Sequence, residues 1–327
     1  MIVEPSSFTP LLEVKSLKVH FPVRSGLFQK TRGFIKAVDG VDLSVQPGET
    51  LAVVGESGSG KSTLGRALLR LGPITEGSMQ WEGSIDVLAL DPKALRNFRR
   101  HAQMIFQDPY ASLNPRHSVG FLLAEPLRIH DLASGGDLKN RVDRLLESVG
   151  LSPSDSSKYP HQFSGGQRQR LAIARALAVE PKLVVADEPV SALDMSVQAQ
   201  VLGLLEDLRQ KLLLTYVFIS HDFGVVRRIS NRIAVLYLGH VVEETETRYL
   251  FRNPLHPYSE ALIEAASMGN SNGKALAPLT GEIPSPTNPP SGCPFQTRCP
   301  KVRDICRREY PHWVSREGGR VACWLHA

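Results

Sequence analysis

Hydrophobic positions change their period several times along this chain, and each change marks an element. Residues 11–23 (LLEVKSLKVHFPV) and 38–45 (VDGVDLSV) alternate enough to predict two strands, with a Gly-, Lys- and Arg-rich connection over 24–36. Residues 50–54 (TLAVV) are a short apolar run of the buried-strand kind, after which Leu64, Ala67, Leu68 and Leu71 recur at helical spacing. A charged helix is expected over 92–101 and a strand over 104–106. Leu138, Val142, Leu145, Leu146 and Val149 then mark one helix face that stops at Gly150. Leu171, Ala174, Leu177 and Ala178 form another stripe, residues 182–189 (KLVVADEP) read as an apolar strand ending in two carboxylates, 197–211 as a helix and 215–220 as a strand. Strands alternating with helices after a β-rich start predict an α/β fold.

Composition adds bounds. With 327 residues, 42% hydrophobic and 22% charged, the chain reads as an ordinary globular protein, long enough for a large domain and an appendage. The net charge of +5 is not focused into a Lys/Arg run or an aromatic-and-basic stripe, so nucleic acid is not an expected partner. The start, MIVEPSSFTP, has an early glutamate and no long apolar core, which predicts a cytoplasmic protein without a secretory signal. The most apolar stretch, 212–219, is far below the roughly 20 residues that span a bilayer. Membrane association is therefore expected through a partner. There is no internal repeat, and one phosphate loop implies one nucleotide-binding unit.

That loop is GESGSGKST, residues 55–63, between the 50–54 strand and the helix that follows. It contains Gly55, Glu56, Ser57, Gly58, Ser59, Gly60, Lys61, Ser62 and Thr63, matching a glycine, four residues, then Gly-Lys-Ser/Thr. Backbone N–H groups from Gly58 to Lys61 can wrap a β-phosphate at the positive end of the helix. Lys61 would balance the β- and γ-phosphate charge, and the Ser62 hydroxyl would ligate Mg²⁺. Asp187, at the end of a strand, is placed to hold Mg²⁺ directly or through water, and Glu188 to polarise an attacking water. Ser164, Gly165, Gly166 and Gln167 open a second helix with exposed N–H groups, a second anion-binding terminus on a chain with one phosphate loop. Gln107 ends an apolar run and begins a loop able to move with a ligand. His221 closes the 215–220 strand, where open α/β sheets bind ligands. For the adenine, Phe21 is the stacking candidate and Phe34 the alternative.

Taken together, GESGSGKST, Gln107, FSGGQ, LVVADEP, SALD and His221 resemble the motif set of ATP-binding cassette (ABC) ATPases over about residues 11–251. The resemblance implies a phosphate-loop NTPase with a RecA-like core, an N-terminal antiparallel β-subdomain and a helical signature subdomain at approximately 92–178. It implies a head-to-tail dimer with two ATPs, in which the SGGQ helix reaches the γ-phosphate held by the opposite subunit. Asp194 of SALD joins the nucleotide-binding set by the same resemblance. The implied reaction is ATP and water to ADP and phosphate, with Glu188 as base, His221 on the γ-phosphate, and Gln107 linking Mg²⁺ to a membrane partner through a loop carrying Tyr110 and Leu113. Phe163 stands where the commonest pattern has Leu, a mild apolar departure.

The remainder is more specific. HPYSEALIEA from His256, LTGEIPSPTNPPSGCPFQTRCP and the final VACWLH resemble the C-terminal extension of oligopeptide and dipeptide importer ATPases, of the type encoded second in a pair. The domains expected are a nucleotide-binding domain over 1–255 and this extension over 256–327. Peptide import is the implied function, with a sister ATPase, two permease subunits and an extracytoplasmic binding protein as partners, at the cytoplasmic face of the inner membrane. Nickel, glutathione or another small solute is the alternative cargo, and a soluble ABC ATPase of translation or repair the rival from another class. Cys293, Cys299, Cys306 and Cys323 are separated by five, six and sixteen residues. An even set in a loop-rich cytoplasmic segment points to metal rather than disulfides. Four thiolates suit zinc or a four-iron, four-sulfur cluster. The absence of a CxxC pair weakens zinc, and the family resemblance implies the iron-sulfur cluster.

Overall fold

The structure is a computed structural model that describes residues 9–25, 30–268 and 281–327. Its contacts divide the chain into two compact units, Met1–Leu88 with Ile219–Ala327, and Ala89–Phe218.

The first unit opens with β1 (Leu12–Ser25) and β2 (Lys30–Val45), continues through β3 (Thr50–Val54) and helix α1 (Lys61–Leu68), and adds β4 (Glu76–Trp81) and β5 (Ile85–Asp86). β1 pairs antiparallel with both β2 and β4, giving a four-stranded sheet in the order β2-β1-β4-β5. The segment expected to connect the first two strands is partly strand, because Thr31 and Gly33 pair with Arg24 and Val23. A two-stranded ladder satisfies backbone groups whatever the side chains, so a charged sequence does not end it. Leu71 also departs from expectation. The helix stops at Leu68, Arg70 takes φ 51°, and the Leu71 N–H closes back on the Arg66 carbonyl (2.9 Å), leaving Leu71 42% exposed.

The second unit carries α2 (Pro92–His101), β6 (Ala102–Ile105), α3 (Pro109–Ser112), α4 (Val119–Ile129), α5 (Gly135–Ser148), α6 (Gly165–Leu177), β7 (Leu183–Asp187), α7 (Met195–Leu212) and β8 (Thr215–Ile219). β6 lies parallel to β7, with Ala102 opposite Leu183, and β8 flanks β7 on its other side. Asp91 caps α2 by accepting from the Ala94 N–H (2.7 Å), a favourable start that offsets its dense positive charge. α5 buries Val142 and Leu146 and ends where Gly150 turns to φ 73°.

The chain then returns to the first unit with α8 (Phe223–Ile229), β9 (Arg232–Tyr237), β10 (His240–Glu246), α9 (Thr247–Leu250), α10 (Pro257–Met268), β11 (Trp313–Arg316) and β12 (Gly319–Ala322). β9 runs parallel to β3; β10 pairs antiparallel with β9 and β12, and β12 with β11. At Gly319 any Cβ would stand 2.1 Å from the Glu244 carbonyl oxygen, so only glycine lets β12 dock on β10. The C-terminal residues share the core of this unit: Tyr258, Cys293, Phe295 and Cys306 pack with Ala52, Val54, Val235 and Tyr237. No helix among the described residues is long and apolar enough to cross a membrane.

Candidate nucleotide site

The phosphate loop bridges β3, buried at every position, and α1. Three of its glycines take positive φ: Gly55 at 153°, Gly58 at 79° and Gly60 at 106°. Two are enforced by contact as well, since a Cβ on Gly55 would lie 2.2 Å from the Leu236 carbonyl oxygen and one on Gly60 2.1 Å from that of Ala37. Gly58 meets nothing within 4 Å. Lys61 is buried, and its ammonium donates to the carbonyls of Gly55 (2.8 Å) and Glu56 (2.9 Å), so the loop itself holds the cation over its own turn. Ser62 and Thr63 continue into the first turn of α1. Among the described residues, the Ser59 hydroxyl is buried without a hydrogen-bond partner. Positive-φ glycines, a helix start and an inward-held ammonium form a set that fits a nucleotide phosphate.

His221 follows β8 on a short turn and is exposed. The Ser220 N–H donates to the Val53 carbonyl (3.2 Å), which brings this turn beside the end of β3, and Asp222 caps α8 by accepting from Gly224 (2.8 Å) and Val225 (3.2 Å). Phe21 pairs with Ile35, and Phe34 with Pro22, in the β1–β2 hairpin. Successive strand residues face opposite sides, so the two candidate rings lie on opposite faces. Phe21 is 37% and Phe34 50% exposed.

In the second unit Asp187 ends β7 and is buried, while Glu188 is only half-buried. Glu188 adopts φ 46°, an uncommon left-handed backbone for a residue with a side chain. The turn is locked by Ser191, whose N–H (3.3 Å) and hydroxyl (3.1 Å) both donate to the Glu188 carbonyl. Gln107 Nε2 donates to Glu188 Oε2 at 2.9 Å. Two residues distant in sequence, singled out for sensing and for catalysis, are thus directly bonded. Leu113 is 2% exposed and packs inward; the Tyr110 side chain is outside the described residues.

Ser164 and Gln167 form a reciprocal capping box at the start of α6. The Gln167 N–H donates to Ser164 Oγ (3.3 Å) and the Ser164 N–H to Gln167 Oε1 (3.0 Å). Both side chains therefore shape the helix entry, and the first-turn N–H groups around Gly165 and Gly166 are what it offers to an anion. Gly166 packs so closely that a Cβ would meet Val197 Cγ1 at 2.3 Å. Asp194 caps α7 by accepting from the Val197 N–H (3.0 Å).

The four cysteines are free thiols. Burial pushes the Cys293 thiol up to about 12 and raises Cys299 and Cys323, with neighbouring cysteines adding to each shift. The thiols are thus within electrostatic reach of one another, and the Cys293 N–H bonds the Cys306 carbonyl (2.8 Å). Among the described residues, however, no group of three or more His, Cys, Asp or Glu side chains is placed to hold a metal ion. Neither zinc nor an iron-sulfur cluster gains support from this arrangement.

Two contacts to the loop carried no signal in the sequence. The Glu56 N–H donates to the Tyr258 hydroxyl (2.8 Å), and Arg298 grips the Glu56 carboxylate with both terminal nitrogens (2.6 and 3.0 Å).

Residues 38–191 match the ABC transporter family, and residues 242–306 match the oligopeptide/dipeptide transporter C-terminal region. The chain is 48% identical to the oligopeptide transport ATP-binding protein AppF of Bacillus subtilis over 97% of its length and 98% of that protein. It is 49% identical to the oligopeptide transport ATP-binding protein OppF of Salmonella typhimurium, over 92% of each. Among solved structures, the dimeric post-hydrolysis state of the ATP-binding cassette MJ0796 bound to ADP and Pi is similar with a TM-score of 0.63 at 31% identity. That likeness covers 72% of this chain and 99% of the other.

Proposed function

Because the chain belongs to the ABC transporter family of ATP-binding subunits, in its oligopeptide/dipeptide branch, we propose that it is the ATP-hydrolysing subunit of a membrane importer of peptides. The observation that carries the reading is the bond between Gln107 and Glu188, on a chain whose phosphate loop is complete. Lys61 and the loop N–H groups hold the phosphates, and Ser62 and Asp187 would hold Mg²⁺, which when bound would supply positive charge against the phosphate oxygens. Glu188 accepts a proton from water as the water oxygen attacks the γ-phosphorus and the bridging bond to ADP breaks. Gln107, bonded to that carboxylate, reports its state along the loop it begins. His221 contacts the γ-phosphate, and Phe21, or Phe34 from the opposite face, stacks on the adenine.

Each chain contributes one phosphate loop and one SGGQ helix start, so two cassettes share two nucleotides. A sister ATPase is the partner, beneath two permease chains at the cytoplasmic face of the membrane and fed by an extracytoplasmic binding protein. Residues 1–255 form the nucleotide-binding domain, and 256–327 the extension that marks the peptide class. Co-purification with permeases and ATPase assay in vesicles test this. Peptide added with its binding protein is expected to stimulate hydrolysis, and only when the sister ATPase is present. Stimulation by nickel or glutathione instead would reassign the cargo, and full import with two copies of this chain would remove the sister subunit.

The cysteines enter this reading as a four-iron, four-sulfur centre with a structural role, which rests on the resemblance of the C-terminal region to that of peptide-importer ATPases and not on the placement of the thiols. Anaerobically purified protein is expected to be brown, with iron and acid-labile sulfide at about four each per chain. One zinc in colourless protein would reverse the assignment, and metal-free protein would leave four free thiols.

A further inference from the structure

The phosphate loop carries an acidic residue, Glu56, one position after its first glycine, in a segment proposed to cradle a triphosphate. A carboxylate so close to bound phosphate repels it unless something neutralises it. The neutralising group comes from far along the chain. Arg298 makes a fork with Glu56, Nη1 to Oε2 at 2.6 Å and Nη2 to Oε1 at 3.0 Å, and its side chain is 3% exposed against 25% for the carboxylate. Bidentate, poorly solvated pairs of this kind are the strong ones. The guanidinium lies over the Tyr237 ring, 5.9 Å from its centre. That ring packs against Tyr258 (4.7 Å) and Phe295 (5.2 Å), and Tyr258 uses its hydroxyl to accept the Glu56 N–H. Side chain and backbone of Glu56 are therefore both held by residues that follow the cassette motifs, and these rest on one aromatic cluster that includes Cys293 and Cys306.

We propose that Arg298 is a positioning residue for the nucleotide site: it neutralises Glu56 and fixes the phosphate loop, so the C-terminal region sets nucleotide affinity as well as marking the transporter class. The inference rests on the nucleotide reading above. It explains why an acidic phosphate loop is tolerated here: the carboxylate is a docking point for the C-terminal region rather than a phosphate contact. Coupling is reciprocal, so nucleotide binding also tightens the hold on the segment around Cys299.

The test is equilibrium binding of MgADP, which cannot turn over, to the full-length chain, with melting temperature as a control for folding. Arg298→Met keeps the stem and removes the charge, and is expected to weaken binding about tenfold. Arg298→Lys keeps the charge without the fork and is expected to lose about threefold. The discriminating variant is Glu56→Gln combined with Arg298→Met. If Arg298 acts by neutralising Glu56, removing both charges restores binding to within about twofold of the parent. An arginine that merely docks the C-terminal region would give no such rescue. Unchanged binding in Arg298→Met, or a double variant as weak as the single one at equal melting temperature, overturns the inference. If Arg298→Met fails to fold, Arg298→Lys alone and combined with Glu56→Gln decides by the same comparison. A parent chain that binds no MgADP overturns the nucleotide reading itself, and this inference with it.

Discussion

Replacing Glu188 by glutamine is expected to stop turnover while leaving ATP bound. The substitution preserves shape where shape matters: Glu188 sits at φ 46°, its carbonyl is clamped by Ser191, and its side-chain oxygen accepts from Gln107. An amide oxygen also accepts that bond, more weakly than a carboxylate, so the turn and the glutamine contact are expected to survive. What disappears is the capacity to take a proton from water, worth about 10² to 10⁴ in rate. Single-turnover hydrolysis in the assembled transporter, together with retained nucleotide after gel filtration, measures both halves. A mutant complex with near-normal ATPase would remove Glu188 from its proposed role.

Lys61→Ala acts one step earlier and is expected to lose binding. The residue is 6% exposed and its ammonium is held by two loop carbonyls, so it is already oriented and partly stripped of water before nucleotide arrives. Losing one partner of a desolvated charge pair costs about 2 to 5 kcal/mol, or roughly 30-fold and more in dissociation constant. Titration with MgADP reads this directly. An Ala variant within about threefold of the parent would mean that the N–H groups alone hold the phosphates. Melting temperature measured alongside separates lost affinity from lost folding.

Glu188 and Lys61 both stand out from the order of residues along the chain alone. The phosphate loop is legible there because its function needs specific residue types at fixed spacing, and the contacts of Gly55 and Gly60 show why. Likewise the core of the 182–189 run, Leu183–Asp187, is a strand because its residues are buried on both faces, and α6 begins just after Ser164 because Ser and Gln three apart close a cap. The extent of β2 and the end of α1 are not legible in this way. A ladder formed with β1 continues through polar residues, and a left-handed turn at Arg70 stops a helix whose apolar spacing would carry on.

By itself the sequence determined the local chemistry: which loop takes phosphate, which strand ends in carboxylates, which helix opens with glycines, and to which family the motifs belong. These are properties of neighbours along the chain, where residue type and backbone geometry constrain each other directly. Only the tertiary structure decided which distant residues meet. It bonded Gln107 to Glu188 across 81 positions and Arg298 to Glu56 across 242, and it set Cys293 and Cys306 in the core of the first unit. No periodicity encodes such pairs, since each arises from the packing of whole elements and is offset by the burial of residues that take no part in the contact.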